Sequence, residues 1–170
     1  RDTVLMSYLD SGDIDGAKTF LNKELAEIHT GSASPFCENA VINAVLTEYR
    51  AKAQERGFEF SAEIHLPRNL TCDETEFCVM LSNLLENSLD AAKTYIKVDI
   101  KYLNRQISLN IKNDYDGKVK KDADGRYFTT KRHGSGLGLQ SVGLILKHNR
   151  GFLKIDDENG VFNVFATLQN

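Results

Sequence analysis

The chain has 170 residues, 21 Lys and Arg against 24 Asp and Glu, a formal net charge of −3, and 41% hydrophobic residues. That balance describes a soluble globular protein and offers no basic surface of the kind that supplies most non-specific nucleic-acid affinity, so nucleic acid is not expected as a partner. The best apolar runs, such as Val142 to Leu146, fall well short of the roughly 18 residues of a membrane span, and the length suits one full domain with an appendage.

Residues 1–57 read as helices. Val4, Leu5, Tyr8 and Leu9 recur at helical spacing, Ser11-Gly12-Asp13 interrupts, and Ile14, Ala17, Phe20, Leu21, Leu25 and Ile28 form a second stripe. Two short antiparallel helices are expected, then a polar linker from Thr30 to Ser34. Ser34 as N-cap and Pro35 at the first helical position predict a third helix that closes at Arg56-Gly57. From Phe58 the period becomes two: Phe58, Phe60, Ala62, Ile64 and Leu66 alternate with polar residues, as do Ile96 to Tyr102, Ile107 to Ile111 and Phe162 to Leu168, with a shorter apolar run at Phe152 to Ile155. Five strands with one polar face each predict an α+β, two-layer sandwich, its sheet covered by helices on one side only and preceded by the helical hairpin. A capping-box pattern, Asp73-x-x-Glu76, opens a helix running to about Lys93, and a last helix starts within Gly134 to Gly138 and ends on Lys147-His148-Asn149-Arg150 before Gly151. Between them, the polar stretch Asn113 to His133 is longer than most connections in a compact domain and reads as a lid.

On the helix from Asp73, Phe77, Met80, Leu81, Leu84, Leu85, Leu89, Ala91 and Ala92 form the apolar arc, while Asn83, Glu86, Asn87, Asp90 and Thr94 gather opposite. Asn83 and Asn87 are i, i+4 neighbours with Asp90 three residues on, a compact group of oxygens that suits a hard cation when a nucleotide supplies the charge. Taken alone, this arc reads as a solvated face. Gly134-Ser135-Gly136-Leu137-Gly138-Leu139 opens a helix, where glycines let backbone N–H groups approach an anion. It lacks the Gly-Lys-Ser/Thr of a P-loop and does not follow a first parallel strand as a dinucleotide fingerprint would.

The order of these motifs is what gives them meaning. Asn83-Leu-Leu-Glu86-Asn87-Ser-Leu-Asp90-Ala-Ala resembles the N-box of the GHKL superfamily of gyrase, histidine kinase and MutL ATPases, and His133-Gly-Ser-Gly-Leu-Gly-Leu-Gln-Ser-Val142 resembles its second glycine box. Asn113-Asp-Tyr-Asp-Gly117 stands where the first glycine box belongs. Phe36-Cys-Glu-Asn-Ala-Val-Ile-Asn-Ala-Val-Leu46 resembles the connecting helix of sensor histidine kinases of the peptide-quorum-sensing type. The resemblance implies a catalytic domain over residues 34–170, with residues 1–33 as the remnant of a dimerisation and phosphotransfer region. It implies an ATP site in which Asn87 binds Mg2+ and Asn83, Asp90, Asn113, Gly117, His133 and the Gly134 to Leu139 turn bind nucleotide; Lys131, a cation of the lid beside that turn, is the expected phosphate contact.

The resemblance also places Asn83 where gyrase-like hydrolases carry a water-activating Glu. An amide cannot act as a general base, whereas phosphoryl transfer to imidazole depends on positioning and charge neutralisation, which favours a kinase. Glu86 keeps a GHKL hydrolase as the alternative, and the altered first glycine box keeps a non-catalytic nucleotide-sensing module. Asn113 replaces the family's Asp and Tyr115 its first Gly, so the contact to the base loses charge assistance and ATP affinity should be modest. His29, His65 and His148 read as structural or exposed. The phosphoacceptor His is therefore expected upstream of Arg1, in a membrane-bound receptor that dimerises and hands its phosphoryl group to a response regulator. With three cysteines, Cys37, Cys72 and Cys78, in no metal or disulfide pattern, the domain is expected in the cytosol. The start at Arg1, without Met or signal segment, suggests a piece of something longer.

Overall fold

The computed structural model describes residues 2–20, 34–70, 72–117 and 137–169. The chain divides into two compact units, Arg1–Pro35 and Phe36–Asn170. In the first, α1 (Asp2–Asp10) is followed by helical residues 14–20. Gly12 makes the turn at φ 72, a conformation that costs glycine little. Asp13 Oδ1 then accepts from Gly16 N at 2.8 Å, the side-chain capping that starts the next helix, and the Tyr8 and Phe20 rings lie 6.2 Å apart across the turn. Leu21, Leu25, Ile28, His29 and the linker up to residue 33 lie outside the described residues.

The second unit runs α2 (Ala40–Glu55), β1 (Glu59–His65), α3 (Glu74–Ala91), β2 (Tyr95–Leu103), β3 (Gln106–Asp114), α4 (Leu137–His148), β4 (Phe152–Glu158) and β5 (Val161–Gln169). The five strands form one mixed sheet in the order β1-β2-β3-β5-β4, with β1 parallel to β2 and every other pair antiparallel. Each period-two run of the sequence is a strand, and the short run at Phe152 extends to Glu158 because it pairs along its length with β5. Two-residue turns at Asn104-Arg105 (φ 52 and 62) and Asn159-Gly160 (φ 54 and 76) join the hairpins; positive φ at both central residues matches the right-handed twist of the strands.

A parallel pair cannot be joined by a hairpin, so the chain crosses from β1 to β2 through α3 and lays that helix over the sheet. Ile96, Val98 and Ile100 of β2 and Ile107, Leu109 and Ile111 of β3 face it and are buried, while Lys97, Lys101 and Lys112 on the opposite face are exposed. Phe77, Leu81 and Leu85 of α3, Ile42 and Leu46 of α2 and Val142 of α4 complete the core. This is the expected two-layer α+β sandwich.

Four local expectations change. α2 begins at Ala40, with Asn39 rather than Ser34 as N-cap, its side chain accepting from Ile42 N at 2.9 Å. Asn39 holds that place because its amide also donates to Arg68 O at 3.0 Å and to Glu74 Oε1, contacts 29 and 35 residues away that no local pattern reveals. The close of α2 is as expected: Gly57 at φ 77 and Phe58 return hydrogen bonds to Gln54 O and Ala53 O.

At the start of α3, Asp73 Oδ1 accepts from Glu76 N at 3.0 Å, but the return arm of the capping box is diverted. The Glu76 carboxylate accepts from Asn149 Nδ2 at 2.7 Å and pairs with His148 Nδ1 at 2.8 Å, so it fastens the start of α3 to the end of α4. Along α3, Ser88 is buried whereas Ala91 is exposed. Finally, Arg150 rather than Gly151 takes the left-handed position after α4, at φ 47. Gly151 is needed for space, since a Cβ there would lie 2.0 Å from Thr167 O.

Candidate functional site

The outward arc of α3 splits into two flanks. Asn83 lies on the α4 flank: a Cβ placed on Gly138, in the first turn of α4, would be 3.4 Å from Asn83 Oδ1. The N-box residue and the end of the second glycine box therefore meet. Asn87, one turn beyond Asn83, is half-buried, and its amide makes no hydrogen bond among the described residues. Glu86 lies on the α2 flank, near enough to Tyr49 for its charge to act on the phenol. Burial first, and then the Glu86 charge and hydrogen bond, push the Tyr49 phenol well above its ordinary range. Asp90 is on the same side: Arg56, the C-cap of α2, donates to Leu89 O at 2.8 Å and to Asp90 Oδ1 at 3.5 Å.

Under α3 lies the end of β3. Alternation from Ile107 through Leu109 and Ile111 brings Asn113 onto the core face, where it is 0% exposed. Its Nδ2 donates to Asp114 O at 2.9 Å, while its Oδ1 is buried with no partner among the described residues. A buried acceptor without a donor costs about 1–3 kcal/mol, so an open oxygen at this place asks for a ligand or water to complete it.

The residues after Asn113 are pinned on both sides. The Asp114 carboxylate accepts from Lys93 N and Thr94 N, each at 3.0 Å, from Tyr95 N at 3.3 Å and from Thr94 Oγ1 at 2.6 Å. Partial burial pushes its pKa up, but the hydrogen bonds from the Thr94 side chain and the three backbone N–H groups outweigh this and hold it down at about 2. Tyr115 N donates to Gly160 O at 3.1 Å, its hydroxyl reaches Asp157 O at 3.3 Å, and its ring meets Phe162 edge-on at 6.0 Å. Tyr115, in the place of the family's first glycine, thus fastens the strand end to the β4–β5 hairpin. Gly117 follows at φ 76.

The structure brings Asn83 and Gly138 together and sets Asn87, Glu86 and Asp90 along the same arc. Lys131, His133, Gly134, Ser135 and Gly136 lie outside the described residues, as does the side chain of Leu137. Leu139 packs its side chain on the core. His65 pairs with Glu63 at 3.0 Å on the exposed face of β1. Among the described residues, no three His, Cys, Asp or Glu side chains cluster as a metal site, and no helix is long and apolar enough to cross a membrane. Tyr49, Arg56 and Asp114 were not singled out by sequence reasoning; their partners come from 19 to 37 residues away, beyond any local motif.

Comparison with known proteins gives the family and the fold. Residues 73–169 match the model of the GHKL domain family, and the chain belongs to that family. Solved histidine kinases share its fold. The nucleotide-free catalytic domain of ThkA superposes with a TM-score of 0.62 at 19% identity, over 77% of this chain and 91% of that one. The Acinetobacter baumannii histidine kinase AdeS gives 0.59 at 19% identity, over 98% and 93% of the two chains. Full-length ShkA in complex with AMPPNP gives 0.63 at 18% identity, over 81% of this chain and 31% of that one. No curated protein matches the chain.

Proposed function

We propose that the chain is the ATP-binding catalytic domain of a two-component sensor histidine kinase, which transfers the γ-phosphoryl group of ATP to a histidine outside these 170 residues for relay to a response regulator. The domain would work in the cytosol as part of a dimeric, membrane-bound receptor. The meeting of Asn83 with the first turn of α4 at Gly138 carries this reading, because it gathers a polar helix arc and a glycine-rich helix start at one place. ShkA, of the same fold, was solved with AMPPNP.

The residues present fit an adenine nucleotide. Asn113 offers a buried, open acceptor, and its N–H2 is already committed to Asp114 O, so the amide presents oxygen rather than nitrogen to a base. An exocyclic amine satisfies that oxygen; the carbonyl of guanine opposes it. Asn87 would hold Mg2+ through its amide oxygen, and the ion when bound neutralises phosphate charge. Asn83, an amide that cannot act as a general base, supports transfer over hydrolysis.

Calorimetric titration with ATP and Mg2+ tests the reading. The chain is expected to bind ATP with Mg2+-dependent affinity, and Asn87→Ala to lose at least about tenfold in that affinity, since a metal ligand's contribution exceeds an ordinary net hydrogen bond. Undiminished binding by the variant removes Asn87 from its role. Acid-labile phosphate on a longer chain that includes the upstream helix would establish the kinase.

A further inference from the structure

Both ends of α4 meet α3. At the first turn of α4, a Cβ on Gly138 would lie 3.4 Å from Asn83 Oδ1. At the last turn, the Glu76 carboxylate pairs with His148 Nδ1 at 2.8 Å through Oε1 and 3.0 Å through Oε2, and accepts from Asn149 Nδ2 at 2.7 Å. Asn149 Nδ2 also donates to Ile145 O at 2.9 Å, so this amide ties a terminal carbonyl of α4 to α3. Charge suits the joint: Glu76 stands in the first turn of α3, at the positive end of its dipole, and His148 in the last turn of α4, at the negative end. From Glu76 to Asn83 is two turns, about 10 Å along α3, and from Gly138 to His148 about 15 Å along α4. The helices therefore run antiparallel between one contact at the nucleotide end and one remote from it. The remote end is a fixed point, because Gln169 N of β5 donates to Asn149 O at 3.0 Å. α4 needs such support: Gly138 and Gly143 are poor helix formers, and a helix of 12 residues is marginal by itself. Val142 and Leu146 hold it on the core, but apolar burial has no direction, whereas hydrogen bonds fix where on α3 the helix sits.

We infer that Glu76 is a positioning residue for the nucleotide site: by fastening the end of α4 to α3, it sets Gly138 against Asn83. The inference rests on the ATP-site reading given above. Glu76 acts only through α4, since two turns of α3 separate it from Asn83. With the joint intact, the start of α4 is aligned on Asn83 before ATP arrives. With the joint cut, α4 samples other settings on the core, and only the aligned fraction binds. The measured dissociation constant then rises by the inverse of that fraction, so an aligned fraction of about one fifth weakens ATP about fivefold.

The test is a double-mutant cycle on the full chain, read as affinity for Mg-ATP at a temperature where circular dichroism shows every variant folded. Glu76→Ala is expected to weaken ATP about fivefold, and Glu76→Gln, which still accepts from Asn149, to recover most of that loss. In an Asn83→Ala background the same Glu76→Ala change should cost less than about twofold, because the contact that Glu76 sets is already gone. A merely structural Glu76 would lower the melting temperature and leave the affinity of the folded chain alone. His148→Ala is a second variant that leaves α3 unaltered; its side chain is 75% exposed, so folding is not at stake, and it should weaken ATP about threefold. Undiminished affinity in folded Glu76→Ala or in His148→Ala, or an equal loss in the Asn83→Ala background, overturns the positioning role and leaves the nucleotide site standing. If the unaltered chain does not bind ATP at all, the nucleotide reading fails and the positioning role with it.

Discussion

Asn39 and Asn113 are both buried asparagines, at 3% and 0% exposure, yet their hydrogen bonding differs. At the entry to the second unit, every part of the Asn39 amide is used: Oδ1 caps α2 at Ile42 N, and Nδ2 serves both Arg68 O and Glu74. At the end of β3, Asn113 spends its N–H2 on Asp114 O and leaves Oδ1 open. A buried amide with nothing left over is there to hold structure. One with an unpaired acceptor costs stability in the free protein unless a water or a ligand completes it.

The largest effect should come from breaking the complete amide. Asn39→Ala leaves Ile42 N, Arg68 O and the Glu74 carboxylate without their partner, and a lost N-cap together with newly unpaired buried groups is expected to cost about 3 kcal/mol. Urea denaturation followed by circular dichroism measures it. A loss near zero would mean that water replaces all three bonds and that the comparison is mistaken. Asn113→Leu should do the reverse. Replacing an amide that is already half unpaired with an apolar side chain of similar shape is expected to change stability by less than about 1 kcal/mol, while ATP affinity falls about tenfold. Equal losses in stability and affinity would make Asn113 a structural residue like Asn39.

Much of this arrangement is legible in the sequence, but unevenly. Strands with one buried face announce themselves because Ile96, Val98, Ile100 and Ile107, Leu109, Ile111 must alternate to reach the same core, and Asp73 and Gly57 mark helix ends by local backbone chemistry. The N-box and second glycine box are likewise readable as motifs, and Asn83 and Gly138 do meet. What the sequence does not show is where a polar side chain finds its partner. Ser34-Pro35 is as good a helix start locally as Asn39, which prevails through Arg68 and Glu74. The Asp73/Glu76 box looks reciprocal until His148 and Asn149 arrive from the other helix. In each case tertiary structure decides between bonds of similar strength that one stretch of sequence offers equally.

Asp114, next to Asn113, gives the smallest predicted effect and the cleanest control. Its carboxylate binds three backbone N–H groups and the Thr94 hydroxyl, and these hold its pKa at about 2, below the ordinary 3.8. A carboxylate whose folded pKa is depressed binds its proton more readily in the unfolded chain, so the stability it contributes is fully present above about pH 4 and is lost as pH falls from about 4 towards 2. Since the group is only partly buried, the effect should be modest, and it should appear as a steeper loss of melting temperature across that interval. Asp114→Asn keeps the shape, removes the titration, and should flatten this part of the profile while lowering stability above pH 4. Because the same residue orients the Asn113 amide only through its backbone carbonyl, ATP affinity at neutral pH should change far less in Asp114→Asn than in Asn113→Leu. A larger loss in Asp114→Asn would shift recognition of the base from the open amide to the carboxylate beside it.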